Sequence, residues 1–197
     1  HVPHRRQRQM CIRDRYTTLE LAGRQVYVKE GCVVCHSQLI RPFKNETDRY
    51  GSYSLSGEYA YDRPFLWGSK RTGPDLMRVG NYRTTDWHEN HMMDPAAVVP
   101  GSIMPKYPWL FKNETDIDTA WAEAETVRIM FNVPYNKDIP MKDGSVSQTH
   151  LAENVEGGRA DALAEAKLIA ADMKNQDVKD AVAAGEIPEI VALIAYL

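Results

Sequence analysis

Residues 31–36 read GCVVCH, so two cysteines stand two residues apart and a histidine directly follows the second one. The chain has 197 residues with three cysteines and six histidines. Three chemistries use such a CxxC pair: a dithiol redox couple, half of a zinc site, or covalent attachment of haem. The rest of the sequence has to discriminate among them.

The composition is that of a globular chain. Hydrophobic residues make up 43% and charged residues 26%, as in ordinary soluble domains. No apolar run approaches the roughly 20 residues that span a bilayer, and residues 190–197 are a candidate for a buried helix only. We therefore expect one domain with a proper core and no membrane anchor within it.

Residues 1–15 differ from the rest of the chain. They hold five arginines, one acidic residue and the isolated Cys11, without a hydrophobic period. A basic start with no apolar stretch behind it is not a signal peptide, so we interpret this segment as a non-native or disordered leader. The remaining domain, residues 16–197, holds 19 basic and 26 acidic residues, a net charge of about −7. This charge argues against nucleic acid as a partner.

Helical periodicity predicts most of the secondary structure, and no strand pattern extends over a useful length. The predicted helices are residues 18–30, 85–93, 94–98, 116–131, 158–184 (one helix and a second short one) and 186–197, with Pro188 in the first turn of the last one. Residues 37–75 are expected to be irregular, and three prolines force residues 100–110 into an extended loop. On residues 116–131, the apolar face is expected to reach Met130 or Phe131. The predicted fold is all-α with long ordered loops.

This context discriminates among the three chemistries. A redox dithiol requires an alternating α/β chain, which this sequence does not offer. Zinc would have to combine Cys32 and Cys35 with His88 and His91, but 52 residues separate Cys35 from His88, against roughly 12 to 15 in a zinc finger. Zinc would also leave His36 unexplained. Covalent haem uses all three residues of the motif, because each thiol adds across a porphyrin vinyl group and the adjacent imidazole becomes an axial ligand.

Two proline-containing loops support the haem interpretation. A ligating histidine donates its other ring N–H to an acceptor, and the segment RTGPDL, residues 71–76, predicts the Pro74 carbonyl in that role. A six-coordinate electron carrier needs a second axial ligand on a rigid segment. Met104, followed by Pro105, is the candidate for this ligand, and Met141, preceded by Pro140, is its competitor.

The two ends of the chain provide a third supporting feature. The first predicted helix carries Gly23 and Tyr27, and the last one carries Leu193 and Tyr196. A small residue opposite an aromatic residue lets two helices cross closely. We expect this crossing to close a haem pocket.

Taken together, these features resemble a class I cytochrome c. Five blocks are similar to the mono-haem subunit II of cbb3-type haem-copper cytochrome c oxidases, and the resemblance covers residues 16–197. The blocks are EGCVVCHSQLIRPF (30–43), RYGSYSLSGEYAYDRPFLWGSKRTGPDLMRVG (49–80), DWHENHMMDP (86–95), MPKYPWL (104–110) and NVPY (132–135). An alanine-rich helical insertion at about 143–185 is longer than in many relatives. In the family a transmembrane helix precedes the domain, and here residues 1–15 stand in its place.

The resemblance implies a cytochrome c domain on the periplasmic side of the bacterial inner membrane. It carries one covalent haem c, bound by Cys32 and Cys35, with His36 and Met104 as iron ligands. The implied partners are the membrane-embedded catalytic subunit, which reduces oxygen and pumps protons, and a di-haem c-type subunit or a soluble cytochrome as electron donor. The chain itself is expected only to transfer electrons. A free-standing soluble cytochrome c shuttle is the alternative.

Two sets of residues are assigned less specifically. Arg71, Lys70 or Arg41 is a candidate to pair with a haem propionate, because a buried carboxylate needs donors. The aromatic residues of the irregular region either form the docking face for the catalytic subunit or serve as the core of the loops. These residues are Tyr50, Tyr53, Tyr59, Tyr61, Phe65 and Trp67.

Overall fold

The computed structural model describes residues 16–133, 135, 139–140, 146–147 and 151–197. In these segments the α-helices are α1 (Thr18–Lys29), α2 (Cys32–Cys35), α3 (Lys44–Tyr50), α4 (Thr85–Met93), α5 (Pro95–Val98), α6 (Ile117–Phe131), α7 (Val155–Asp172), α8 (Gln176–Ala184) and α9 (Glu189–Tyr196). Short 3-10 helices cover Ser56–Tyr59, Val79–Asn81 and Pro108–Phe111. Two short strands, β1 (Ile139–Pro140) and β2 (Val146–Ser147), pair antiparallel with Ile139 opposite Ser147. The predicted all-α class is confirmed.

Side-chain caps explain where the major helices begin. Thr17 and Glu20 form a reciprocal capping box at α1, in which each side chain accepts the other residue's backbone N–H at 3.0 and 3.1 Å. Oxygen-bearing side chains also cap α6, α7 and α8, which begin after Asp116, Asn154 and Asn175. Within the described segments, each helix is too short or too polar to cross a membrane.

The first and last helices cross at the centre of the core. A Cβ atom on Gly23 of α1 would lie 1.9 Å from the carbonyl oxygen of Ala192 on α9, so glycine is required for this approach. The rings of Tyr27 and Tyr196 lie 5.5 Å apart at the same crossing. All eight residues of α9 are buried. The predicted contact between the two ends of the chain is therefore confirmed.

The alanine-rich helix α7 belongs to the same core. It packs on α1, α6 and α9, and its buried face is formed mainly by Ala162, Ala166 and Ile169. Small side chains let neighbouring helices approach, and Gly158 extends this face because a Cβ there would lie 2.8 Å from the Trp121 ring.

The prediction that residues 37–75 are irregular is wrong in part. It contains α3 and the 3-10 helix Ser56–Tyr59. Neither element has an apolar stripe; each buries a glutamate instead, Glu46 in α3 and Glu58 in the 3-10 helix. Helices that are held by buried ion pairs give no hydrophobic period in the sequence.

Three other predictions differ in detail. Met130 and Phe131 are 72% and 55% exposed, because the buried positions of α6 lie in its earlier turns, at Ile117, Ala120 and Ala124. The helix predicted from residue 158 already begins at residue 155. Pro188 is the N-cap of α9 and does not lie in its first turn.

Candidate functional site

The two cysteines of the motif lie on α2, a single helical turn. Gly31 precedes this turn with a left-handed φ of +72°, a conformation that glycine adopts without strain. Cys32 is half-buried, Cys35 is exposed, and neither of them forms a disulfide within the described part of the chain. Burial, aided by the charge of Glu30, raises the pKa of Cys32 to about 11, so this thiol keeps its proton at neutral pH.

His36 leaves α2 in an extended conformation and turns its ring inward. Its Nδ1 lies 2.8 Å from the carbonyl oxygen of Pro74. A carbonyl can only accept, so Nδ1 carries a proton, and in the neutral imidazole Nε2 is then the atom with the free lone pair. A Cβ atom on Gly73 would lie 2.3 Å from Cε1 of His36. Gly73 therefore leaves the space that the imidazole occupies, and the Pro74 carbonyl fixes its orientation.

A buried carboxylate fastens this loop to the chain after His36. Asp75 is 1% exposed and accepts hydrogen bonds from the Ser37 hydroxyl at 2.7 Å and from the Leu39 N–H at 2.9 Å. The backbone adds a bond from the Leu76 N–H to the Ser37 carbonyl at 2.9 Å. The position of the His36 ring thus rests on contacts between two segments more than 30 residues apart.

Arg71 supports the same loop through hydrogen bonds to the segment after His36 and to α3. Its guanidinium donates to Glu46 at 2.8 Å, to the Leu39 carbonyl at 2.7 Å and to the Ser37 hydroxyl at 2.6 Å. Glu46 is 3% exposed, and the hydrogen bond from Arg71 is the main cause that lowers the pKa of this carboxyl to about 2. Arg71 does not line the cavity described below. Its propionate role stays a prediction, and the contacts favour a supporting role instead.

A cavity of about 500 Å³ lies in front of the His36 ring, within the size range of cofactor sites. Five of the six predicted site residues line it: Cys32, Cys35, His36, Pro74 and Met104. Met104 is half-buried, and its backbone N–H donates to the Ser102 hydroxyl at 3.2 Å. The structure thus brings together both thiols, the imidazole and the thioether. Met141, the competitor of Met104, lies outside the described residues.

Helix α4 supplies a side of the cavity that the sequence analysis did not assign. Trp87 and His91 on α4 line it, together with Arg83, which lies two residues before the helix. The three residues follow one another at intervals of four, which is the spacing of one helix face. That spacing was the signal available in the sequence. From the sequence, His88 and His91 are interpreted as polar surface or loop-pinning residues, with zinc ligation as the disfavoured alternative. Among the described residues, no group of three or more His, Cys, Asp or Glu side chains is arranged to hold a metal ion.

The arrangement fits a haem on the chemistry of its donors. It offers an oriented imidazole with a free Nε2, a thioether, and two thiols one helical turn apart at the rim of the same cavity. The all-α fold is consistent with that of a cytochrome c, and the donor set of the cavity suits one haem.

Comparison with known families gives the more specific assignment. The chain belongs to the family described as "Cytochrome C oxidase, mono-heme subunit/FixO", whose model matches residues 4–197. It is therefore a subunit of a cytochrome c oxidase complex with one haem. The match includes residues 4–15, which we interpreted as a leader and which lie outside the described residues. No curated protein matches the chain significantly.

Proposed function

We propose that this chain binds one c-type haem covalently and passes electrons to the oxygen-reducing subunit of a cbb3-type oxidase. In this proposal Cys32 and Cys35 form the thioether bonds, and His36 and Met104 are the axial ligands. The observation that carries the proposal is the common cavity of these four side chains, with His36 already oriented by the Pro74 carbonyl.

The residues of the site have separate tasks. When bound, the haem supplies a one-electron redox couple. Pro74 keeps the proton of His36 on Nδ1, which leaves Nε2 as the ligand atom, and Gly73 leaves room for the ring. The thioether of Met104 favours the ferrous state and raises the reduction potential. With His36 and Met104 as its ligands, a bound haem would have no open position, and oxygen chemistry would belong to the partner subunit.

The proposed partners follow from the family and from the exposed surface. The electron acceptor is the membrane-embedded catalytic subunit, and the donor is a di-haem c-type subunit or a soluble cytochrome on the periplasmic side. Within the predicted aromatic cluster, Tyr59 and Tyr61 are buried, whereas Phe65 and Trp67 are 46% and 40% exposed and stack at 4.5 Å. We therefore assign the two tyrosines to the core of the loops and the stacked pair to the docking face.

The domain organisation is part of the proposal. Residues 16–197 form one cytochrome c domain, with the alanine-rich insertion at about 143–185. Its described part includes α7 and α8, and α7 packs on α1 and α6. This packing favours an insertion that stabilises the domain over an independent unit.

The covalent haem is tested on protein that has been matured in a bacterial periplasm. The reduced protein should show sharp α and β bands, and its haem should stay attached after denaturation and acid–acetone extraction. The double variant Cys32→Ala/Cys35→Ala should lose the attached haem, whereas Cys11→Ala should keep it. Attached haem in the double variant would contradict the proposal.

The subunit role is tested separately from the haem. When the full-length gene is expressed in a host with the oxidase, the chain should co-purify with the membrane-embedded catalytic subunit. A soluble fraction that holds all of the haem-bearing chain, without association, would favour the free-standing shuttle instead.

A further inference from the structure

Arg83, Trp87 and His91 form a stacked column along one side of the cavity. The Arg83 guanidinium carbon lies 4.5 Å from the centre of the Trp87 ring. The rings of Trp87 and His91 lie 4.4 Å apart with only 17° between their planes. Trp87 thus contacts both the Arg83 guanidinium and the His91 imidazole, and all three side chains line the same cavity.

The ends of this column are hydrogen-bond donors in a cavity that is otherwise mainly apolar. Arg83 is the one lining side chain with a permanent charge among the described residues. The Nδ1 atom of His91 is buried and has no hydrogen-bond partner within the described part of the chain. Burial lowers the pKa of His91, and the charge of the nearby Arg83 acts in the same direction. At neutral pH, His91 therefore offers an N–H group without a charge of its own.

We propose that Arg83 and His91 bind the carboxylates of the haem propionates and that Trp87 positions both. This inference rests on the proposed function, because it takes the cavity as the haem site. A carboxylate that leaves water needs charge-assisted or neutral donors, and this column offers one of each. Arg71, the candidate from the sequence, does not line this cavity.

The charge of Arg83 has a measurable consequence. The ferrous haem carries one negative charge more than the ferric haem, so a nearby cation stabilises the reduced state. Removal of the cation should therefore lower the midpoint potential. Arg83→Lys keeps the charge, so its midpoint potential should stay close to that of the wild type. His91→Phe preserves a flat ring that stacks on Trp87 but removes the donor.

The experiment compares the holoprotein with Arg83→Gln, Arg83→Lys and His91→Phe. Resonance Raman spectra report the propionate bending bands, and spectroelectrochemistry reports the midpoint potential. We expect Arg83→Gln to shift a bending band and to lower the potential, and His91→Phe to shift a bending band. The control is Arg128→Gln, since Arg128 pairs with Glu125 on α6 and does not line the cavity. It should leave both readouts unchanged.

The results separate this inference from the proposed function. Unchanged bending bands in Arg83→Gln and His91→Phe, with haem still covalently attached, would overturn the propionate site and leave the haem assignment intact. If Arg83→Gln does not fold, Arg83→Met takes its place, and unchanged bands in Arg83→Met and His91→Phe overturn the site in the same way. A wild-type protein that carries no covalent haem would overturn both proposals.

Discussion

The cavity has two sides that are built very differently. The histidine wall, residues 36–39 with 71–77, is held by Asp75, which is buried, and by the ion pair of Glu46 and Arg71. The methionine wall, residues 99–105, is more exposed, and Ile103 within it is 82% exposed. Its internal contacts are short in range, such as the bond from the Met104 N–H to Ser102.

This difference separates the two proposed ligands. The His36 ring is oriented by the protein itself, since hydrogen bonds between distant segments fix the carbonyl that holds it. The methionine wall has few buried contacts and therefore opens locally at a lower free energy. We infer that the position of Met104 depends more strongly on its bond to iron. Substitutions on the two walls should thus have different consequences.

The largest effect is expected on the methionine wall, for Met104→His. A second imidazole favours the ferric state more than a thioether does, so the midpoint potential should fall by several hundred millivolts, within the ~0.8 V that axial ligands span. Potentiometric titration measures this change.

Met93→His is the matched control for this substitution, because Met93 is exposed on α4 and does not line the cavity. An unchanged potential in Met104→His would remove Met104 as a ligand. The same fall in Met141→His would identify Met141 in its place.

The histidine wall should be broken by Gly73→Ala. The added Cβ would lie 2.3 Å from the His36 ring, and such overpacking lowers the free energy of unfolding by about 3 kcal/mol. The displaced ring should also weaken the low-spin spectrum.

Gly101→Ala is the counterpart on the methionine wall. Gly101 has a φ of +81° with nothing within 4 Å of the new Cβ, so only the backbone strain of about 1 kcal/mol is expected. Urea unfolding of both variants measures the difference. Equal losses in the two variants would contradict the proposed contrast between the walls.

The ion pair of the histidine wall predicts a dependence on pH. The pKa of Glu46 is lowered from 4.5 to about 2, so its contribution is complete above about pH 4.5 and is lost as the pH falls through about 2. Glu46→Gln should lower the free energy of unfolding at pH 7 by about 3 kcal/mol, and its difference from the wild type should vanish near pH 2.

Urea unfolding at several pH values tests this prediction. The control is Asp48→Asn, whose pair with Lys44 is exposed and should contribute less than about 1 kcal/mol. A difference between Glu46→Gln and the wild type that stays constant down to pH 2 would argue against a charged Glu46.

The smallest effect concerns the methionine wall. Ser102→Ala removes the acceptor of the Met104 N–H, a loss of about 1 kcal/mol. If this bond holds the ligand loop in place, free imidazole should displace Met104 about fivefold more readily. Spectral titration with imidazole measures the affinity, with the exposed Ser69→Ala as control. Equal affinities would show that Ser102 does not restrain the loop.

The sequence predicted the features that depend on residues close together along the chain. The spacing of Cys32, Cys35 and His36, the helical periods and the proline-braced loops are all visible within short windows. The Pro74 carbonyl was selected because a proline holds its loop, and the structure has it 2.8 Å from His36 Nδ1.

The sequence did not predict contacts between distant polar residues, because such contacts leave no periodic pattern in the sequence. Glu46 and Arg71 are 25 residues apart on segments that looked irregular, and nothing in their neighbourhood marks them as partners. The prediction that the buried face of α6 reaches Met130 or Phe131 is wrong for a related reason. The apolar pattern of α6 continues beyond the turns that pack on α1 and α7.

By itself, the sequence determined which donor groups this chain carries, because the proposed covalent attachment and ligation need particular residue types at fixed spacings. Only the tertiary structure decided how firmly each ligand is held and which donors face the cavity. Burial and long-range hydrogen bonds set those properties, and they arise when the loop at residues 71–77 and helix α4 are brought around His36.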